Sequence, residues 1–282
     1  VADGEDDSAA VELRGVTMTY HGAEGDYTAV REVDLTVAPG RFVSVVGPTG
    51  CGKSTVLNAV AGLREPSAGQ VLIGGEPLHG LNRRAGYMFQ QDALLPWKTV
   101  VQNVAFGLEL SGVDKAERLA RAHEWVVRVG LAGFENAYPH QLSGGMRKRT
   151  AVAQSWIGDP DILLMDEPFG ALDVQTRQIM ENELLTLWTD SGKTVLFVTH
   201  DLEEAVSLSD EVVLLSAGPG SRVVGRYPVD LPRPRDLLDI RTTPRFTELY
   251  GAIWADLRNE VMRTYERASH GTAGAGAVQD AG

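Results

Sequence analysis

At 282 residues, 43% apolar and 23% charged, the chain can build one large domain or two modest ones and has none of the bias of a disordered or fibrous protein. Its 26 Lys and Arg against 38 Asp and Glu leave a net charge of −12, which argues against nucleic acid as a partner, because phosphate backbones are bound by cations that displace counterions. The one cysteine, Cys51, cannot form an internal disulfide and suits a reducing compartment. No apolar run approaches the ~20 residues of a membrane helix.

Asp3 to Asp7 is acidic and small, and is expected to be a solvated tail; no basic segment followed by an apolar one is seen there, so no signal peptide is expected. Val11, Leu13, Val16, Met18 and Tyr20, then Val30, Val33, Leu35 and Val37, alternate with polar residues and predict two half-buried antiparallel strands. After the Pro39-Gly40 turn, the unbroken run Phe42 to Val46 predicts a central strand buried on both faces. Lys53 to Ala61 then predicts a helix ending at Gly62, and strands follow at Gln70 to Ile73 and Ala85 to Phe89. From about Asp92 the pattern is helical, with Leu119, Ala120, His123, Val126, Val127 and Gly130 at three- and four-residue spacing. A buried strand returns at Ile162 to Met165, a helix at Val174 to Asp190, and strands at Val195 to Val198 and Val212 to Leu215. A β-rich and α/β body is thus interrupted by a helical insert. From Thr243-Pro244, a helix start, Phe246, Leu249, Tyr250, Ile253, Trp254, Leu257 and Val261 form one apolar stripe, expected to pack on its own domain. The Gly- and Ala-rich stretch from Ser269 to Gly282 is expected to be disordered.

Three short segments carry chemistry. Gly47, Pro48, Thr49, Gly50, Cys51, Gly52, Lys53, Ser54 and Thr55 form a phosphate-binding loop between a buried strand and a helix. Its glycines let backbone N–H groups curl inward, and the positive end of the helix dipole points at the same anion. Lys53 is placed to meet the β- and γ-phosphates, and the Ser54 hydroxyl to ligate Mg²⁺. The run Ile162 to Met165 delivers Asp166 and Glu167 to a strand's C-terminal edge, where open α/β sheets bind ligands. Asp166 is expected to hold Mg²⁺, and Glu167 to orient and polarise an attacking water as general base. Leu142-Ser143-Gly144-Gly145-Met146 places a serine and two glycines at a helix start, a second anion site.

One γ-phosphate does not need two such sites on one chain. The Ser143 segment resembles the signature loop of ATP-binding cassette (ABC) proteins, a loop that reaches the nucleotide held by the opposite subunit. The resemblance covers about Val11 to Leu215. It implies an α/β P-loop NTPase core of RecA-like type with an antiparallel β subdomain and an inserted α-helical subdomain. Tyr20 matches the residue that stacks on adenine, Gln90 the glutamine linking Mg²⁺ to the helical insert, Asp173 in Ala171-Leu172-Asp173 the loop communicating across the dimer, and His200 the switch histidine at the γ-phosphate. The implied activity is ATP hydrolysis with ATP and Mg²⁺ in composite sites of a homodimer. The implied divisions are an acidic tail (1–9), the first part of the core (10–91), the helical insert (92–155), the second part of the core (156–230), a helical extension (231–265) and a disordered tail (266–282).

Two positions depart from the family pattern. Met146 replaces a common glutamine, and Ala153-Gln154-Ser155-Trp156 replaces Ala-Arg-Ala-Leu, with Trp156 expected in the core. Cys51, near a helix N-terminus, is expected to carry a lowered thiol pKa and to be alkylated unless ATP protects it. The apolar turn Leu94, Leu95, Pro96 and Trp97 is expected to be exposed and to receive membrane subunits. Together with Asp166 to Asp173 and Leu231 to Arg235, it resembles the ATPases of bacterial nitrate/sulfonate/taurine-type importers. That resemblance implies permease subunits, an extracytoplasmic solute-binding protein and a peripheral place on the cytoplasmic face of the inner membrane. An exporter ATPase or a non-transport ABC ATPase is the alternative.

Overall fold

The computed structural model describes residues 9–23 and 25–275, with side chains to residue 265. The acidic segment Asp3 to Asp7 and residues 276–282 of the C-terminal stretch lie outside the described residues. Strands β1 (Val11–Gly22) and β2 (Gly25–Val37) form an antiparallel pair, as the alternation predicts. Next come β3 (Phe42–Val46), α1 (Lys53–Val60), β4 (Ala68–Ile73), the short β5 (Glu76–Pro77) and β6 (Ala85–Met88). The helical insert holds α2 (Val100–Val104), α3 (Phe106–Leu110), α4 (Lys115–Arg128) and α5 (Gly144–Trp156). The chain then runs through β7 (Ile162–Asp166), α6 (Val174–Ser191), β8 (Thr194–Val198), α7 (Leu202–Leu208), β9 (Glu211–Leu215) and β10 (Val223–Pro228). It closes with α8 (Leu237–Ile240) and α9 (Pro244–Ala275).

These strands make two sheets. One has the order β2-β1-β4-β5 and is antiparallel; the other has the order β10-β9-β3-β8-β7-β6, parallel except for β10. Pleat alternation explains why the central strands read as unbroken apolar runs. Phe42, Val46, Leu163, Met165, Val195 and Phe197 join the core under the helices. Val43, Val45, Ile162, Leu164, Leu196 and Val198 face the opposite core, with α1 and the antiparallel sheet. Because β3, β6, β7 and β8 run parallel, the loops after all four open on one edge.

Three sequence readings are corrected. On α4 the inward face is Ala122 and Val126, while Val127 is exposed: the stripe follows Leu119, Ala122 and Val126 rather than Ala120 and Val127. On α9, Phe246, Leu249, Ile253 and Leu257 are buried and Tyr250 and Val261 pack partly, but Trp254 points outward. The α9 backbone stays helical to Ala275, into the stretch read as disordered. Elsewhere α9 packs on its own domain as expected, against α7 and β10. Trp156 is core, at 2% exposure.

Candidate functional site

The β3–α1 loop closes one side of an open cleft of about 720 Å³, lined by Thr49, Gly50, Gly52, Lys53, Ser54 and Thr55, with Tyr20, Tyr27, Ala29, Gln90, Glu167 and His200 on its other walls. Gly52 caps α1 at φ 96°, and a Cβ there would stand 2.6 Å from Val30 Cγ1; only glycine lets the loop lie against β2. The Lys53 ammonium, 6% exposed, donates to the carbonyls of Gly47 at 3.0 Å and Pro48 at 3.2 Å. A cation is thus held inside the loop with its amides and the N-terminus of α1 around it, which suits a polyanion. Gly47, Pro48 and Cys51 lie beneath the cleft rather than on its wall.

Burial overturns the expectation of a reactive thiol. Cys51 is fully buried and packs where any Gly47 side chain would be, 2.8 Å from a Cβ built there. Loss of solvent pushes its thiol pKa up and outweighs the nearby Lys53 charge. Alkylation of the folded chain is therefore not the ready reaction the sequence suggested.

Asp166 ends β7 at 9% exposure and accepts the Ser54 hydroxyl at 2.9 Å. Burial raises its pKa, with the Ser54 hydrogen bond opposing. A hydroxyl and a poorly solvated carboxylate side by side are a hard-oxygen pair that suits Mg²⁺, so the two residues fit that ion. Glu167 follows with φ 43°, unusual for a residue with a side chain, fixed by its N–H bond to Val198 O at 2.8 Å. Its Oε2 meets His200 Nδ1 at 3.0 Å and accepts Gln90 Nε2 at 3.4 Å. Two side chains, from the ends of β6 and β8, thus converge on one oxygen of the carboxylate that follows β7. That oxygen can hold a proton or a water, with two polar groups orienting it.

Tyr20 reaches the cleft and contacts Thr55 Oγ1 through its hydroxyl at 3.3 Å. The Arg64 guanidinium lies 4.3 Å from its ring centroid. Tyr27 stands opposite Tyr20 across the β1–β2 pair and also lines the cleft. Neither Arg64 nor Tyr27 was singled out in the sequence; a register shift between Met18 and Thr19 puts Tyr27 out of phase with the alternation through Val30.

Ser143, Gly144, Gly145 and Asp173 do not line this cleft. Ser143 is the exposed N-cap of α5 and accepts Met146 N–H at 3.3 Å, while the Met146 side chain packs on the core, so the missing glutamine leaves no cap unmet. Asp173, exposed, caps α6 through Thr176 N–H and hydroxyl, bonds that hold its pKa low. Two cations join the Ser143 loop to the Gln90 loop. Lys148, 2% exposed, donates to Gln90 O at 3.1 Å and meets Asp92 Oδ1 at 3.0 Å, and Arg147 donates to Asp92 Oδ2 at 3.2 Å. No local sequence pattern announces this clamp.

A second network lies behind His200. The Thr199 hydroxyl donates to the buried Glu204 at 2.6 Å, and Arg177 bonds Asp201 at 3.1 Å and Leu172 O at 3.3 Å. Burial, with Glu181 and Asp201 near, pushes Glu204 up to about 7 from an ordinary 4.5. Between these values the folded chain keeps a proton that the unfolded chain has released, so this group lowers stability as pH rises through that window. Glu204→Gln is therefore expected to melt above wild type at pH 8 and level with it at pH 5, by calorimetry. A gap that ignores pH would locate the titration elsewhere.

The family model described as ABC transporter matches residues 30–170. The chain belongs to the ABC transporter family. An uncharacterized ABC transporter ATP-binding protein of Methanocaldococcus jannaschii is 49% identical over 254 residues, 90% of this chain and 93% of that protein. The taurine import ATP-binding protein TauB of Yersinia pestis is 51% identical over 211 residues, 75% of this chain and 81% of its own length. Two solved structures of a bacterial ABC transporter cassette, one a dimer and one a dimeric post-hydrolysis state with ADP and Pi, each superpose with a TM-score of 0.70 at 34% identity, over 79% of this chain and 100% of theirs. This ABC cassette is a P-loop NTPase that binds and hydrolyses ATP. Among its described residues no helix is long and apolar enough to cross a membrane.

Proposed function

We propose that this cassette is the ATP-hydrolysing subunit of an importer for a small solute of the nitrate, sulfonate or taurine class. It would work as a homodimer docked on separate permease subunits at the cytoplasmic face of the inner membrane, with an extracytoplasmic solute-binding protein in the full complex. The observation that carries the hydrolytic part is the meeting of Gln90 and His200 on Glu167 Oε2, across the cleft from the Lys53 ammonium. Likeness to taurine import proteins supports the solute class.

In this reading residues 10–91 and 156–230 are the nucleotide core, 92–155 the moving insert and 231–265 an extension. Tyr20 stacks on adenine, and the amides of residues 47–55 with Lys53 grip the phosphates. Ser54, Asp166 and Gln90 would hold Mg²⁺, which supplies charge neutralisation at the phosphates when bound. Glu167 takes the proton of the attacking water, and His200 orients Glu167 and faces the γ-phosphate. Ser143 is exposed and Gly144 and Gly145 are half-buried, left accessible for the ATP of the second copy, and Asp173 faces that seam. The Lys148–Asp92 clamp makes the Gln90 loop and the Ser143 loop move together.

The docking side is the turn Leu94 to Trp97. Asn103, fully buried, bonds Leu95 on both its N–H and carbonyl, so the turn is rigid. Leu94 packs partly on the core while Trp97 is 69% exposed. Beside it runs a groove of about 630 Å³ lined by Phe89, Leu95, Phe106 and Gln154 among others. A rigid turn with an exposed tryptophan suits a partner helix. The test is purification of the tagged chain from membranes. A multi-span protein is expected with wild type and lost with Trp97→Glu, with uptake of the solute lost in parallel. No membrane partner with wild type would refute the transport reading while leaving the ATPase intact.

A further inference from the structure

The turn joining β9 to β10, residues 216–222, sits between three elements. It is stitched to β2 by Gly220 N–H to Thr28 O at 2.6 Å, Ser221 N–H to Ala29 O at 3.1 Å and Arg31 N–H to Ser221 O at 2.8 Å. It also backs the phosphate loop. The fully buried Ser221 hydroxyl donates to the Cys51 carbonyl, and a Cβ on Gly218 would stand 3.3 Å from Gly50 O and 3.5 Å from Cys51 Cα. From the third side Glu260 of α9 brings Oε2 to 2.9 Å from the N–H of buried Ala217, and its other oxygen pairs with Arg263.

Position 260 is where an apolar residue is expected. Phe246, Leu249, Ile253 and Leu257 form the buried stripe of α9, and the next inward position, three residues on, holds a glutamate only 5% exposed. A buried carboxylate costs free energy that an apolar side chain would not. Packing alone does not call for it; an acceptor for the Ala217 N–H does. We propose that Glu260 is a positioning residue for nucleotide binding: it pins the 216–222 turn against the backbone of Gly50 and Cys51, so that α9 sets the fraction of phosphate loops in the binding-ready form. The idea rests on the Lys53 loop being the ATP site.

Three variants separate this from a merely structural role. Glu260→Leu keeps the apolar stripe and removes the acceptor, and Glu260→Gln keeps an acceptor oxygen. Leu257→Ala weakens α9 packing one turn away. Glu260→Leu takes the carboxylate from the buried Ala217 N–H, so it is expected to lose no more melting temperature than Leu257→Ala yet bind MgATP about 3- to 10-fold more weakly, because apparent affinity scales with the competent fraction. Its turnover at saturating ATP should be unchanged. Glu260→Gln should bind like wild type, and Leu257→Ala should lose melting temperature without losing affinity. In the unaltered chain, saturating MgADP should slow amide exchange at 216–222 and around residue 260, since coupling between sites is reciprocal. Equal affinity in Glu260→Leu and wild type, a Glu260→Gln as weak as Glu260→Leu, or unmoved exchange in α9 would each overturn the proposal. A wild-type chain that bound no MgATP would instead sink the nucleotide site itself.

Discussion

Glu167→Gln is expected to bind MgATP with unchanged affinity and to hydrolyse it about 10²–10⁴ times more slowly, a barrier increase of about 3–5 kcal/mol. The amide is nearly isosteric, and its oxygen can still meet His200 while its nitrogen faces the water. Only the proton acceptor is gone. Backbone geometry should not change either, since the φ of 43° at this position is enforced by the bond to Val198 O, a main-chain contact indifferent to the side chain. Melting temperature should therefore match wild type. Because ATP would stay bound and uncleaved, the variant should accumulate as a closed dimer. Single-turnover hydrolysis with sizing in the presence and absence of MgATP measures both effects. Near-wild-type turnover would move the base away from Glu167, and a purely monomeric ATP-bound variant would remove the composite site.

The hydrolytic chemistry sits on contiguous motifs. Asp166 and Glu167 were legible because a four-residue apolar run, Ile162 to Met165, fixes where the strand ends, and so where the next carboxylates must stand. The phosphate loop was legible for the same reason: strand, glycines and helix lie within a single short segment. The α/β body with its helical insert followed from counting buried runs against half-buried ones, while the P-loop core and its subdomains were what the family resemblance implied.

What the sequence hid depends on contacts between distant positions. Lys148 gripping Gln90 O and Asp92 bridges more than fifty residues, and an isolated lysine in a helix gives no sign of being buried. Cys51 was misread because a helix N-terminus and full burial act on a thiol in opposite directions, and only packing decides which wins. Trp254 failed because an apolar stripe drawn on a helical wheel is wider than the face the domain covers. Helix α7 and strand β10 escaped because one is seven residues long and the other alternates weakly between half-buried and exposed positions at a sheet edge.

Lys53→Met is expected to separate function from stability in opposite directions. The ammonium is 6% exposed, and its hydrogen-bond partners are two neutral carbonyls, Gly47 O and Pro48 O. Such partners satisfy donors but do not neutralise a charge, and the nearby Asp166 carboxylate, itself pushed up by burial, offsets it only in part, so holding it there costs the nucleotide-free chain free energy. Methionine fills the same channel without that cost. The nucleotide-free variant should melt at or above the wild-type temperature. With phosphate present the balance reverses: losing charge-assisted bonds to the β- and γ-oxygens costs about 3–4 kcal/mol, ~10²–10³-fold in affinity. Calorimetric melting of the nucleotide-free chain and equilibrium binding of a fluorescent ATP analogue read the two halves separately. Affinity within tenfold of wild type would assign phosphate recognition to the loop amides and the α1 N-terminus alone. A lowered melting temperature would mean that the cation braces the empty loop, and that the two carbonyls stabilise more than desolvation costs.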